Sequence, residues 1–106
     1  MANVERGHEQ IEALADATRR AILEQLLDRP LAVGELAKQF PVSRPAISQH
    51  LAVLKRAHLV LDRPDGTRRV YQVNPQGVEA LRAYFDRFWH HALAAFKRAA
   101  EEESHR

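Results

Sequence analysis

Between Ser43 and His50 the chain reads Ser-Arg-Pro-Ala-Ile-Ser-Gln-His, a run dense in groups that can meet a nucleic acid. Arg44 can neutralise a phosphate or reach guanine O6 and N7, and Gln49 offers the paired donor and acceptor that adenine N6 and N7 require. Ser48 and His50 can bond either bases or backbone. Ser43 is a natural N-cap, its hydroxyl accepting from the free amides of a first helical turn. Pro45 falls in that turn, where its missing N–H is no loss. The proline therefore marks a helix start. Ile47, Leu51 and Leu54 follow at i, i+4 and i+7 as an inward stripe, so Ser48, Gln49, Ala52 and Lys55 fall largely off it. Such a helix front also carries the positive end of the helix dipole, which suits an anion.

A second basic group follows in the stretch Arg-Pro-Asp-Gly-Thr-Arg-Arg, residues 63–69. Pro64-Asp65-Gly66 is a tight-turn signal, and residues 59–61 and 69–73 read as the two short strands that it joins. The hairpin carries Arg63, Thr67, Arg68 and Arg69 around its tip, suited to a minor groove or to phosphates. Strand alternation sends Arg68 and Arg69 to opposite faces, and Arg68 is the stronger candidate of the two. Net charge over the whole chain is only +2, but residues 41–73 hold six basic side chains, Arg44, Lys55, Arg56, Arg63, Arg68 and Arg69, against Asp62 and Asp65. A basic middle between acidic flanks points to a polyanion as partner.

The elements that position these groups are legible from caps and stripes. Residues 8–14 predict a short helix. Asp16 caps a second, in which Ile22, Leu23, Leu26 and Leu27 face inward and which stops near Asp28-Arg29-Pro30. A third helix over 33–40 buries Val33, Leu36, Ala37 and Phe40, and Pro41-Val42 turns the chain sharply into the helix that Ser43 caps. After the hairpin, Asn74-Pro75 opens a last helix to about Glu103, with Gly77 weakening its first turn so that regular helix begins a residue or two later. The order is that of a winged helix-turn-helix, mainly α with a small β-hairpin, in one domain spanning 1–106. Its tight turn and polar second helix place a recognition helix in the major groove of double-stranded DNA.

The last helix carries more apolar surface than one small domain can cover. Val78, Leu81, Phe85, Phe88, Ala92, Ala95 and Ala99 repeat at spacings of three and four, and Tyr84, Trp89, Leu93 and Phe96 widen the stripe. At 1.5 Å per residue such a helix is about 40 Å long. A two-fold homodimer through Leu81, Phe85, Phe88, Trp89, Ala92 and Phe96, helped by the first helix, accounts for the excess and presents two recognition helices to two half-sites.

Other classes find little support. Cysteine is absent, which excludes disulfides and thiolate metal sites. No apolar run reaches the roughly 18 residues of a membrane span, and no signal segment opens the chain, so the expected compartment is the cytoplasm. There is no glycine-rich phosphate loop, no His-Glu-x-x-His and no paired-carboxylate setting; neither an enzyme nor a cofactor is expected. Asp86, His90 and His91 are weak candidates for a metal between subunits, with a solvated or interface histidine pair the better reading.

Residues 14–73 resemble the ArsR (arsenical-resistance repressor) family of winged helix-turn-helix regulators. The matching features are Leu-Ala-Asp-x-Thr-Arg-Arg-x-Ile-Leu from Leu14, Glu-Leu-Ala at 35–37, Ser-x-Pro-Ala-Ile-Ser-x-His-Leu from Ser43, and Asp-Gly-x-Arg-Arg-x-Tyr from Asp65. The resemblance implies a homodimeric DNA-binding regulator, usually a repressor, acting on an imperfect inverted repeat near its own promoter. It assigns Ser43, Arg44, Pro45, Ser48, Gln49 and His50 to the recognition element and Asp65 to Arg69 to the wing. Where metal-responsive members carry cysteines before Glu-Leu-Ala, this chain has Ala32 and Gly34, and the paired Asp-x-His and His-x-x-Glu ligands of the last helix are missing. Position 58, often glycine in the family, is histidine, which can adopt the left-handed conformation. Two rival classes are a sensor with a metal or small molecule at the dimer interface and a winged-helix protein-interaction module. The effector itself is not legible.

Overall fold

A computed structural model describes residues 2–104, with side chains from Gly7 onward. The elements are α1 (Ala2–Ala13), α2 (Ala17–Asp28), β1 (Leu31–Ala32), α3 (Val33–Ala37), α4 (Arg44–Arg56), β2 (Val60–Asp65), β3 (Arg68–Val73) and α5 (Pro75–Ser104). The caps that set their starts are those read from the sequence. Asp16 accepts from the Arg19 amide at 3.0 Å, Ser43 Oγ from the Ala46 amide at 3.2 Å, and Asn74 Oδ1 from the Gln76 amide at 3.1 Å. Each satisfies an N–H that the first helical turn would otherwise leave free.

The core gathers under the turn between α3 and α4. Ile22, Leu31, Leu36, Ile47, Leu51, Leu54 and Leu59 lose essentially all contact with solvent, and Phe40, Val42, Tyr71 and Val73 pack around them. Burying a leucine-sized side chain contributes about 1.5–3 kcal/mol, so the α4 stripe holds that helix against the core.

Several boundaries differ from expectation. Helix α1 starts at Ala2 rather than near residue 8. Leu27 is 62% exposed: it stands at the edge of its stripe in the last turn of α2, beyond the reach of the core. Helix α3 closes at Ala37, and Lys38–Phe40 turn away, leaving Leu36 fully buried and Val33, Ala37 and Phe40 only partly so. The hairpin turn sits one step later than the Pro64-Asp65-Gly66 signal. Asp65 pairs with Arg68 across a two-residue tip, Gly66-Thr67, with Gly66 at φ +64°, a conformation that only glycine adopts without strain. Pro64 remains inside β2, tolerated because β2 is an edge strand in the order β1-β3-β2. The third strand, β1, was not foreseen. Two residues carry too little pattern to register, yet Leu31 and Ala32 pair antiparallel with Tyr71 and Val70.

Helix α4 ends in a Schellman motif. The Leu59 amide donates to the Leu54 carbonyl at 2.9 Å and the His58 amide to the Lys55 carbonyl at 3.0 Å, with His58 left-handed at φ 61°. Two other elements close on this end. Gln10 of α1, fully buried, donates its Nε2 to the Ala57 carbonyl. Gly77 of α5 lies so close that a Cβ there would stand 1.9 Å from the His58 carbonyl oxygen. The expected loosening by Gly77 does not occur: α5 runs from Pro75 without a break, and the missing side chain serves close approach instead. Gly77→Ala should therefore destabilise the protein by about 2 kcal/mol or more, because the obstacle is backbone that cannot rotate away. His58→Gly should stabilise it by about 0.5–1 kcal/mol by relieving the left-handed histidine. Urea unfolding midpoints of the two variants would check both signs.

Candidate nucleic-acid interface

Each polar residue singled out at the front of α4 lies on the surface. Ser43, Arg44, Pro45, Ser48 and Gln49 are exposed, and His50 is half-buried. Ser43 and Pro45 serve the helix start itself, as cap and first-turn residue. Arg44 and Ser48 then open onto a groove of about 710 Å³ whose opposite wall is the hairpin, through Thr67, Arg68 and Arg69. The lining also includes Gly34 of α3 and Lys38 just beyond that helix, and the Arg44 guanidinium lies across Gly34, 3.8 Å from where a Cβ would stand. Helix front and wing, some twenty residues apart in sequence, thus converge on one basic surface. Lys38 was missed by the sequence reading. Its signal is its place directly after Glu-Leu-Ala, at the turn between the two helices.

The remaining candidates do not line this groove. Gln49 is exposed on α4 and Arg63 on β2, neither of them among the groove's lining residues. His50 lies near the α2 cap: the Asp16 carboxyl is held below its ordinary value mainly by the Arg19 amide, then by the Arg19 charge, with a lesser contribution from His50. Asp86 of α5 faces Arg82 at 3.8 Å, and His90 and His91 are exposed. Among the described residues no three histidine, aspartate or glutamate side chains gather as a metal cluster.

Not every basic residue here is free. Lys55 Nζ lies 2.8 Å from one oxygen of Asp62 and Arg69 Nε 2.7 Å from the other, with the Asp62 side chain only 7% exposed. Register explains the second contact: Asp62 pairs with Tyr71, so Arg69 is its diagonal neighbour on the same face of the sheet. Arg68 points the other way, as alternation requires, and meets Glu35 at 3.4 Å and Asp65 at 3.2 Å. Glu35 also accepts from the Ala32 amide at 3.0 Å, tying the start of α3 to the wing.

The hydrogen bond from Lys55, and then that from Arg69, hold the Asp62 carboxyl below its ordinary 3.8. A carboxylate depressed in the folded state adds stability that is present above the unfolded value and is lost as pH falls through the folded one. Wild type should therefore be more stable than Asp62→Asn at pH 7, and the gap should close as pH falls below about 4. Urea titrations of both proteins at pH 7 and pH 3 would show it; a gap independent of pH would mean that Asp62 contributes by shape alone.

The comparisons with known proteins agree with this geometry. Residues 16–61, from the α2 cap into β2, match the family model described as "Bacterial regulatory protein, arsR family". The chain is 62% identical over 92 residues to the HTH-type transcriptional regulator Rv2034 of Mycobacterium tuberculosis, covering 87% of this chain and 86% of that protein. Among solved structures, an ArsR-like transcriptional regulator from Rhodococcus sp. RHA1 superposes with TM-score 0.77 at 29% identity, over 94% of this chain and 97% of the other. A crystal structure of a possible transcriptional regulator for arsenical resistance gives TM-score 0.72 at 49% identity, over 76% and 84%. The chain belongs to the ArsR family of winged helix-turn-helix DNA-binding transcriptional regulators.

Proposed function

We propose that this regulator is a cytoplasmic repressor that occupies an inverted-repeat operator as a homodimer, reading each half-site with α4 and the wing. The observation that carries the reading is the groove that brings Arg44 and Ser48 together with Thr67, Arg68 and Arg69. In this reading α4 enters the major groove by its N-terminal end. Arg44 and the free first-turn amides meet phosphate or guanine, Ser48 and Gln49 read base edges, and His50 bonds the backbone. Lys55 and the wing residues Arg63, Thr67, Arg68 and Arg69 hold adjacent phosphates or reach the minor groove.

Shape supports the dimer. The chain measures 68 × 29 × 20 Å with a radius of gyration of 18.2 Å; a compact chain of this length would have about 13 Å. The excess is α5, which projects past α1 with Phe85, Phe88, Trp89 and Phe96 between 53% and 73% exposed. Together with Leu81 and Ala92 they offer an apolar face larger than monomers ordinarily leave in water. A second copy related by a two-fold axis buries it and sets two recognition helices about 34–36 Å apart, one turn of DNA.

Selection of sheared genomic DNA on the protein at near-physiological salt should enrich a pseudo-palindrome. Uniform retention, or none, would defeat the reading. On the selected site, about six neutralised phosphates would give a slope of log K against log[salt] near −5. Gln49→Ala should cost about 1–3 kcal/mol there and relax preference at one position; equal losses on random DNA would make Gln49 a positioning contact. Wild type should sediment at twice the chain mass and Phe88→Glu as a monomer, with operator binding lost together with the dimer.

A further inference from the structure

The groove explains where DNA fits, but not why three of its flanking cations are already held by the protein's own carboxylates. Lys55 and Arg69 share the two oxygens of Asp62 at 2.8 and 2.7 Å. That carboxylate cannot follow its partners outward, because it is nearly buried between α4 and the β2–β3 ladder, while Lys55 and Arg69 are each more than half exposed. The arrangement places a nearly covered carboxylate beneath two half-exposed cations on the face that would meet the phosphate backbone. At the wing tip Arg68 is held in the same way, by Glu35 and Asp65.

We propose that Asp62 is a positioning residue that lowers affinity for random-sequence DNA by withholding Lys55 and Arg69 from phosphates. The inference rests on the groove between α4 and the wing being the DNA surface. A phosphate that takes either cation must first displace a carboxylate already in contact, so the cluster of three presents a single positive charge rather than two. Non-specific binding depends almost wholly on such phosphate contacts, whereas a true site adds base contacts that can draw the cations off Asp62. A restraint felt on random sequence and offset by base contacts on the true site widens the ratio between the two affinities, and that ratio, set against a vast excess of wrong sequences, fixes the share of protein found on the right one. Asp62 touches no DNA in this scheme; it acts through Lys55 and Arg69.

The experiment is binding of a fluorescein-labelled 30-base-pair duplex of random sequence, followed by anisotropy from 50 to 300 mM salt. The proteins are wild type, Asp62→Asn, Asp62→Asn with Arg69→Gln, and Glu101→Gln, which makes the same charge change near the far end of α5. One additional phosphate contact raises affinity roughly eightfold at 0.1 M salt and steepens the log–log slope by about 0.9. Asp62→Asn should gain that much or more, Arg69→Gln should reverse most of the gain, and Glu101→Gln should change little. Near-UV circular dichroism and the urea midpoint establish that each variant is folded. If Asp62→Asn is not, Asp62→Thr, whose β-branched side chain suits a strand, removes the same charge and should give the same gain. Wild type binding the duplex with no gain in the folded Asp62 variant overturns the proposal alone. An equal gain in Glu101→Gln overturns it in favour of net charge. Failure of wild type to bind any duplex at low salt overturns the groove reading, and this inference falls with it.

Discussion

The C-terminal end of α4 is the joint on which the arrangement depends. A 13-residue helix held only by an apolar stripe can roll or slide, because hydrophobic contact has little direction. Here the stripe of Ile47, Leu51 and Leu54 is supplemented by contacts that do have direction. The Schellman bonds fix where the helix stops, Gln10 takes the Ala57 carbonyl, and Gly77 admits the His58 carbonyl to within backbone contact of α5. All three act at the end opposite Ser43. The polar front is therefore left clear while its direction is set from behind, by α1 and α5, whose mutual packing includes the edge-on rings of His8 and Tyr84. One of the two elements that set the direction of α4, α5, thus also carries the exposed aromatic face.

Electrostatics divides the basic residues into two populations. Arg44 lies open at the helix front, with Ser48 beside it in the groove. Lys55, Arg68 and Arg69 are restrained by Asp62, Glu35 and Asp65. A count of positive charges overstates what this surface offers a phosphate, since exposed ion pairs are individually weak but still compete for the same cations. Restraint also has a structural effect. Asp62 joins α4 to both strands of the wing, and Glu35 joins the start of α3 to Arg68, so helix and hairpin hold one relative position across the groove. Rigid placement of contacting groups lowers the ordering cost of any partner they bind.

Much of this was legible in advance because the signals are local. A cap bonds an amide two or three residues away, and an inward stripe repeats every turn, so Asp16, Ser43, Asn74 and the set Ile47, Leu51, Leu54 could be read off before any fold was known. The tight turn was legible too, though one residue early: proline and glycine announce a reversal, while the position of its tip is decided by which residues pair across it.

What the sequence by itself determined, then, is the order of helices and hairpin, the start of α4, the basic middle and the apolar surplus of the last helix. Each follows from residue type and spacing within a few turns of chain. Only the tertiary structure decided that Leu31-Ala32 forms a strand, that Gly77 serves close approach rather than fraying, that Lys38 joins the groove, and that Asp62 holds Lys55 and Arg69. Those outcomes depend on partners brought near by folding, Tyr71 for Leu31 and His58 for Gly77 among them. A two-residue strand, a missing methyl group and one aspartate among many carry no periodicity of their own. Their meaning is set by what the rest of the chain places against them.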